Sequence, residues 1–139
     1  MLELFHMKQL RLLGIDFGLK KVGLSISEGR IADPYKVIRY LSQEDLVKKI
    51  EKIISEEGIG KVVVGVSESK MEELSRKFGK EVSKRLNIPT TYFDETLSSQ
   101  DAINLSREAG IRSKKRKKLE DAYSATLILQ RYLDAQKVL

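Results

Sequence analysis

Four acids in this chain fall where strands end or where a helical apolar face begins. Asp16 closes the run LLGID, Asp94 and Glu95 close TTYF, and Asp121 lies at the head of the last helical pattern. A carboxylate at the end of an apolar strand is costly unless a hydrogen bond, a basic side chain, a helix terminus or a metal ion compensates its charge. Carboxylates drawn into one low-dielectric place repel and raise each other's pKa, and a divalent cation removes that penalty. A donor set of oxygens alone suits Mg2+ or Mn2+. Elimination narrows the chemistry further. The chain has no cysteine, its single histidine is His6, and no serine sits in a Gly-flanked nucleophile turn. A hydrolase built from these residues needs metal-activated water. Two ions held about 3.5–4 Å apart can activate that water and stabilise the leaving oxygen of a phosphodiester.

Charge points to a polyanionic partner. The net charge is +6, and Arg107, Arg112, Lys114, Lys115, Arg116, Lys117 and Lys118 form a block interrupted by one acid, Glu108. Such a block attracts nucleic acid through phosphate contacts, although a solvated basic loop is the plain alternative. The rest of the composition, 41% hydrophobic and 33% charged residues, is that of a globular protein. No apolar stretch approaches the ~18–20 residues that cross a bilayer, no secretory pattern stands at the N-terminus, and no membrane partner is expected. A cytoplasmic location follows as the default. The 139 residues suit one domain, residues 1–139, with the internal Met7 marking residues 1–7 as an extension.

The elements that must position these groups alternate in period. Leu10 to Ile15 and Val22 to Ile26 read as antiparallel strands around the Asp16–Lys21 turn. Ile31 to Tyr40 reads as a third strand, with Pro34 confining it to an edge or bend. Leu46, Val47, Ile50, Ile53 and Ile54 keep helical spacing up to Gly58 and Gly60. KVVVGV (61–66) has the continuous apolar character of an inner parallel strand. Met71, Leu74, Phe78, Val82 and Leu86 mark a second helix, TTYF a further strand, Ser98 and Ser99 the caps of a third helix, and Leu119 to Ala135 a last one. This order predicts an α/β fold: a mixed sheet of three antiparallel strands followed by parallel ones, flanked by helices.

In such a sheet ligands bind beyond the carboxyl ends of the strands, which is where Asp16 and the Asp94–Glu95 pair fall if the first and last strands run parallel. On the last helix Asp121 shares an arc with Ala122, Ala125, Ile128, Leu129, Tyr132 and Leu133 and so faces the sheet. Gln130, Arg131 and Asp134 point away. As a first-turn residue, Asp121 would also be favoured by the positive helix end. Lys20 and Lys21 are candidates to touch a phosphate at the first turn. Gly18 is expected to relieve backbone strain in that turn, and Gly23 to ease packing near a strand start.

Five segments occur in the order and spacing of a known family: LLGIDFGLKKVGLSIS, GRIADPYKVIRY, KVVVGV, YFDETLSSQDA and KKLEDAYSATLILQRYL. Together they resemble the YqgF family of ribonuclease-H-like proteins, the RuvX-like Holliday junction resolvases linked to pre-16S rRNA processing. The likeness spans about residues 8 to 136. It implies a metal-dependent nuclease with Asp16, Glu95 and Asp121 as catalytic and metal-holding acids. Processing of precursor rRNA is the preferred substrate reading and cutting of branched, four-way DNA the alternative. Symmetric cutting of a junction calls for a homodimer, whereas trimming rRNA needs only a monomer. Two positions depart from the family pattern. Thr96 stands where an Arg usually follows the DE pair, and GVSESKM lacks the usual Pro and Gly while offering Glu68 as an extra acid or an ordinary helix-start residue.

Two other functions remain in view. DFGLKKVG is also similar to the first phosphate loop of actin-like sugar kinases and chaperone ATPases, but those have Thr or Ser at the position of Leu19 and need two such domains. A nucleic-acid-binding module without catalysis is the other; it would be indifferent to Mg2+ and to loss of the acids.

Overall fold

The computed structural model describes residues 10–66, 71–94 and 113–136. Five strands form one sheet in the order β3-β2-β1-β4-β5: β1 Arg11–Asp16, β2 Lys21–Glu28, β3 Ile31–Arg39, β4 Ile59–Val66 and β5 Thr90–Asp94. β1 pairs antiparallel with β2 and β2 with β3, while β4 runs parallel to both β1 and β5. The expected mixed sheet is therefore present, and β3 is the edge strand that Pro34 requires. Pro34 lies opposite Ser25, where the β2–β3 register shifts.

Helix α1 (Gln43–Glu57) links β3 to β4, and α2 (Met71–Leu86) links β4 to β5. Their ends follow local chemistry. The Ser42 side chain accepts from the Asp45 N–H at the head of α1, and Gly58, at φ 64°, ends it in the left-handed conformation. Asn87 at φ 50° follows α2, two residues before Pro89. Both helices cover one face of the sheet. Leu13, Ile15, Val22, Leu24, Val62 and Val64 pack there against Leu46, Ile50, Phe78 and Val82.

The opposite face carries α3 (Ser113–Gln136), whose Ile128 and Leu129 cluster with Leu12 and Val63. Alternation along β1 and β2 divides the two faces. Leu13 and Ile15 serve the α1–α2 side, leaving Leu12, Gly14 and Asp16 toward α3. Lys21, Gly23, Ser25 and Ser27 of β2 lie on the same α3 side.

Several expectations change here. Helix α3 starts at Ser113 rather than Leu119, so Lys114–Lys118 belong to its first turns and not to a loop. Its buried surface is wider than the apolar arc, because Tyr123, Ser124 and Thr126 are buried as well. Thr126 can be buried because its hydroxyl donates to the Ala122 carbonyl at 2.7 Å, one turn back. Gln130 does not point away from the sheet. Its amide accepts from the Ala32 N–H at 2.9 Å and donates to the Arg30 carbonyl at 2.9 Å, tying α3 to the β2–β3 hairpin. Met1–Met7 with His6, the Ser98–Ser99 caps, Arg107 and Glu108 lie outside the described residues.

Candidate active site at the carboxyl edge of the sheet

Helix α3 lies unusually close to β1 and β2 because that part of the sheet lacks side chains. A Cβ on Gly23 would fall on the backbone carbonyl of Asp121, and one on Gly14 would meet the Leu129 Cβ at 2.8 Å and the Ala125 carbonyl at 3.0 Å. Between them the Ser25 hydroxyl donates to the Ala125 carbonyl at 2.8 Å. Asp121, Ala125 and Leu129 are spaced i, i+4, i+8, so one stripe of the helix rests on two glycines and a serine. The expectation that Gly23 eases packing is correct, and the partner it admits is the backbone of Asp121 itself.

That contact brings two of the acids to one place. Asp16, the last residue of β1, is the cross-strand partner of Gly23. Cross-strand partners have Cα atoms about 4.5–5.5 Å apart. Asp16 therefore ends β1 beside the glycine on which the Asp121 turn sits, on the same face of the sheet. Across the sheet, Ile15 is level with Val64 and Tyr92, and Asp94 lies level with Val66. β5 is two strand spacings from β1, about 10 Å. Tyr92 packs with the α1–α2 core and Phe93 with the α3 core, so alternation puts Asp94 on the side away from α3. Glu95, Glu68, Thr96 and Arg112 lie outside the described residues. Among the described residues no three His, Cys, Asp or Glu side chains gather as a metal-holding group.

Asp121 has a compensating charge of a different kind from the one expected. Because α3 begins at Ser113, Asp121 is in its third turn, beyond the reach of the helix N-terminus. Instead, Lys21 Nζ lies 3.0 Å from Asp121 Oδ2, with both side chains partly exposed at 45% and 31%. Lys21 stands two residues before Gly23 on the α3 face of β2, so its stem rises directly toward the Asp121 turn. The donor chemistry suits a hard divalent cation: Asp16 and Asp121 supply oxygens only, and the position already draws an ammonium.

The turn that follows Asp16 is held from both sides. The Phe17 ring stacks on Phe78 of α2, with centroids 4.8 Å apart and an interplanar angle of 20°. The Tyr40 hydroxyl donates to the Gly18 carbonyl at 2.5 Å, and the Tyr40 N–H reaches the Lys20 carbonyl at 3.4 Å. The reason for Gly18 is corrected. Its φ is not positive, but a Cβ there would lie 2.5 Å from the Lys21 carbonyl, so the residue permits a close approach within the turn. Leu19 and Lys20 are left exposed at the tip. Tyr40 had no local signature in the sequence; its role comes from pairing at the far end of β3.

A family model described as "RuvX: Holliday junction resolvase" matches residues 10–135. A protein of Oenococcus oeni is 39% identical over 136 residues, covering 90% of this chain and 94% of its own; one of Caldanaerobacter subterraneus is 37% identical, covering 92% and 99%. Both carry the name "Putative pre-16S rRNA nuclease". Among solved structures, the T. thermophilus RuvC in complex with a Holliday junction substrate superposes with a TM-score of 0.64 at 13% identity, covering 94% of this chain and 97% of its own. The Fowlpox virus resolvase with Holliday junction DNA gives 0.63 at 11% identity, covering 91% and 99%. At those identities the likeness is one of fold: a ribonuclease-H-like sheet with its flanking helices.

Proposed function

Since the chain belongs to the RuvX family of nucleases, we propose that it is a cytoplasmic, divalent-metal-dependent phosphodiesterase that processes the 5′ end of pre-16S rRNA. The observation that carries the reading is the seating of the Asp121 turn on Gly23, opposite Asp16. It gathers two carboxylates, 105 residues apart in sequence, at the sheet edge where α/β folds bind ligands. Asp16, Asp121 and Glu95, the residue directly after β5, are the metal-holding acids, with Glu68 as a substitute. When bound, a pair of Mg2+ or Mn2+ ions supplies an activated water and neutralises charge on the leaving oxygen.

The chain's own residues do the rest. Lys114, Lys115, Arg116, Lys117 and Lys118 occupy the turns of α3 that precede Asp121. At 1.5 Å per residue, Lys114 is only about 10 Å along the helix from Asp121, so a phosphate backbone gripped by this block, with Arg112, passes the carboxylates. Lys20, at the tip of the turn held by Tyr40 and Phe17, presents a further cation beside Asp16. The names of the relatives support an RNA substrate.

The description of the family supports a second reading, cleavage of four-way DNA by a homodimer. A side-by-side assay with Mn2+, Mg2+ and EDTA separates the two. Metal-dependent trimming of a pre-16S rRNA fragment with an uncut four-way junction is the expected result. Symmetric junction cutting with intact precursor replaces it with the second reading. Inactivity of the folded protein on both substrates makes it a binding module.

A further inference from the structure

The Lys21–Asp121 pair does something beyond compensating a partly exposed carboxylate. Three observations bear on it. Lys21 is anchored in β2, where it pairs with Arg39, while the neighbouring Lys20 carbonyl accepts from the Tyr40 N–H. Its ammonium lies 3.0 Å from Asp121 Oδ2. Gly23, two residues on, holds the Asp121 backbone against the strand beside Asp16. Both backbones are held in packed elements, and the long Lys21 stem is the more mobile of the two side chains.

Two carboxylates on one face repel, and one ammonium between strand and helix offsets part of that repulsion. A divalent cation on the same carboxylate oxygen would bring like charges together, so ammonium and metal exclude each other there. We propose that Lys21 is a built-in counter-cation of Asp121 that a divalent metal must displace, so that loading the metal releases a tethered ammonium for a substrate phosphate. The proposal rests on the metal-site reading above and deepens it. It makes Lys21 a positioning residue whose first effect is on metal affinity.

The test measures Mn2+ binding to the full chain by calorimetry, without nucleic acid. Lys21→Met is compared with Lys20→Met, which removes the same charge one residue away and so subtracts the general electrostatic effect. Lys21→Met should bind Mn2+ about two- to fivefold tighter than Lys20→Met, the range that a partly exposed ion pair and the conversion of free energy to affinity allow. Lys21→Arg, which restores a cation, should return the affinity to the wild-type value or below it. Lys21→Gln repeats the measurement in a second uncharged background, and circular dichroism verifies folding of each variant. An advantage smaller than about twofold for both uncharged variants overturns the displacement proposal and leaves the metal site standing. Mn2+ binding that is absent from the wild type, or unaffected by Asp121→Asn, overturns the metal-site reading and the proposal with it.

Discussion

Gly23 and Asp121 are packed backbone to backbone: the space that a side chain on Gly23 would take is filled by the carbonyl of Asp121. Since Gly23 is also the cross-strand partner of Asp16, this one contact sets the distance between the two acids of the candidate site.

Gly23→Ala should therefore damage stability and site together. The new methyl meets backbone rather than a flexible side chain, and α3 must lift or tilt to accept it. Overpacking of this kind costs roughly 1–3 kcal/mol. Urea denaturation should show that loss, and metal-dependent cleavage should fall in the protein that remains folded. Gly29→Ala is the control: at φ 60° it is strained, but nothing lies within 4 Å of its Cβ. It should lose about 1 kcal/mol through backbone strain and leave cleavage unchanged.

Asp16→Asn and Asp121→Asn keep shape and remove charge. Each should lower metal-dependent cleavage by at least about 100-fold, beyond what loss of an outer hydrogen-bond partner does at metal sites. Gel-shift binding of the same nucleic acid should persist. EDTA should abolish cleavage by the wild type without abolishing binding. Wild-type rates in either variant would falsify the catalytic assignment.

Tyr40 should behave as a clamp with a pH signature. Its hydroxyl donates to the Gly18 carbonyl, and burial pushes its pKa above the ordinary value of 10.0. A raised pKa means that the folded chain holds its proton longer than the unfolded one. This contribution is thus complete below pH 10 and is lost as pH rises through the folded-state value. Tyr40→Phe should cost about 0.5–1.5 kcal/mol at neutral pH and flatten the alkaline limb of the stability profile. The matching measurement is the denaturation midpoint between pH 8 and pH 11, roughly the span that brackets an ordinary tyrosine pKa.

The basic turns of α3 should hold phosphates without regard to sequence. Replacing Lys114, Arg116 and Lys118 by Gln should weaken binding to every RNA alike. It should also lower the slope of log affinity against log salt by about 2–3, near 0.7–0.9 for each phosphate that is no longer neutralised. An unchanged slope would assign these charges to solvent.

By itself the sequence determined the order and kind of the elements, because local period and turn chemistry carry that information. Apolar runs on either side of the Asp16–Lys21 turn marked β1 and β2, the continuous run 61–66 marked β4 as interior, and Gly58 and Asn87 ended α1 and α2 where their backbone conformation allows no further turn. The helical phase of Asp121 was legible for the same reason, since Ala125 and Leu129 lie on its stripe. Tertiary structure alone decided what sits beside what. The start of α3 at Ser113 took Asp121 away from a helix end, and the β1–β2 register put Asp16 opposite Gly23. Lys21, eligible for any anion by its sequence, was directed to Asp121 because alternation and the glycine floor leave that carboxylate within its reach. The Lys21–Asp121 pairing joins residues one hundred positions apart, and no local pattern records a distance of that kind.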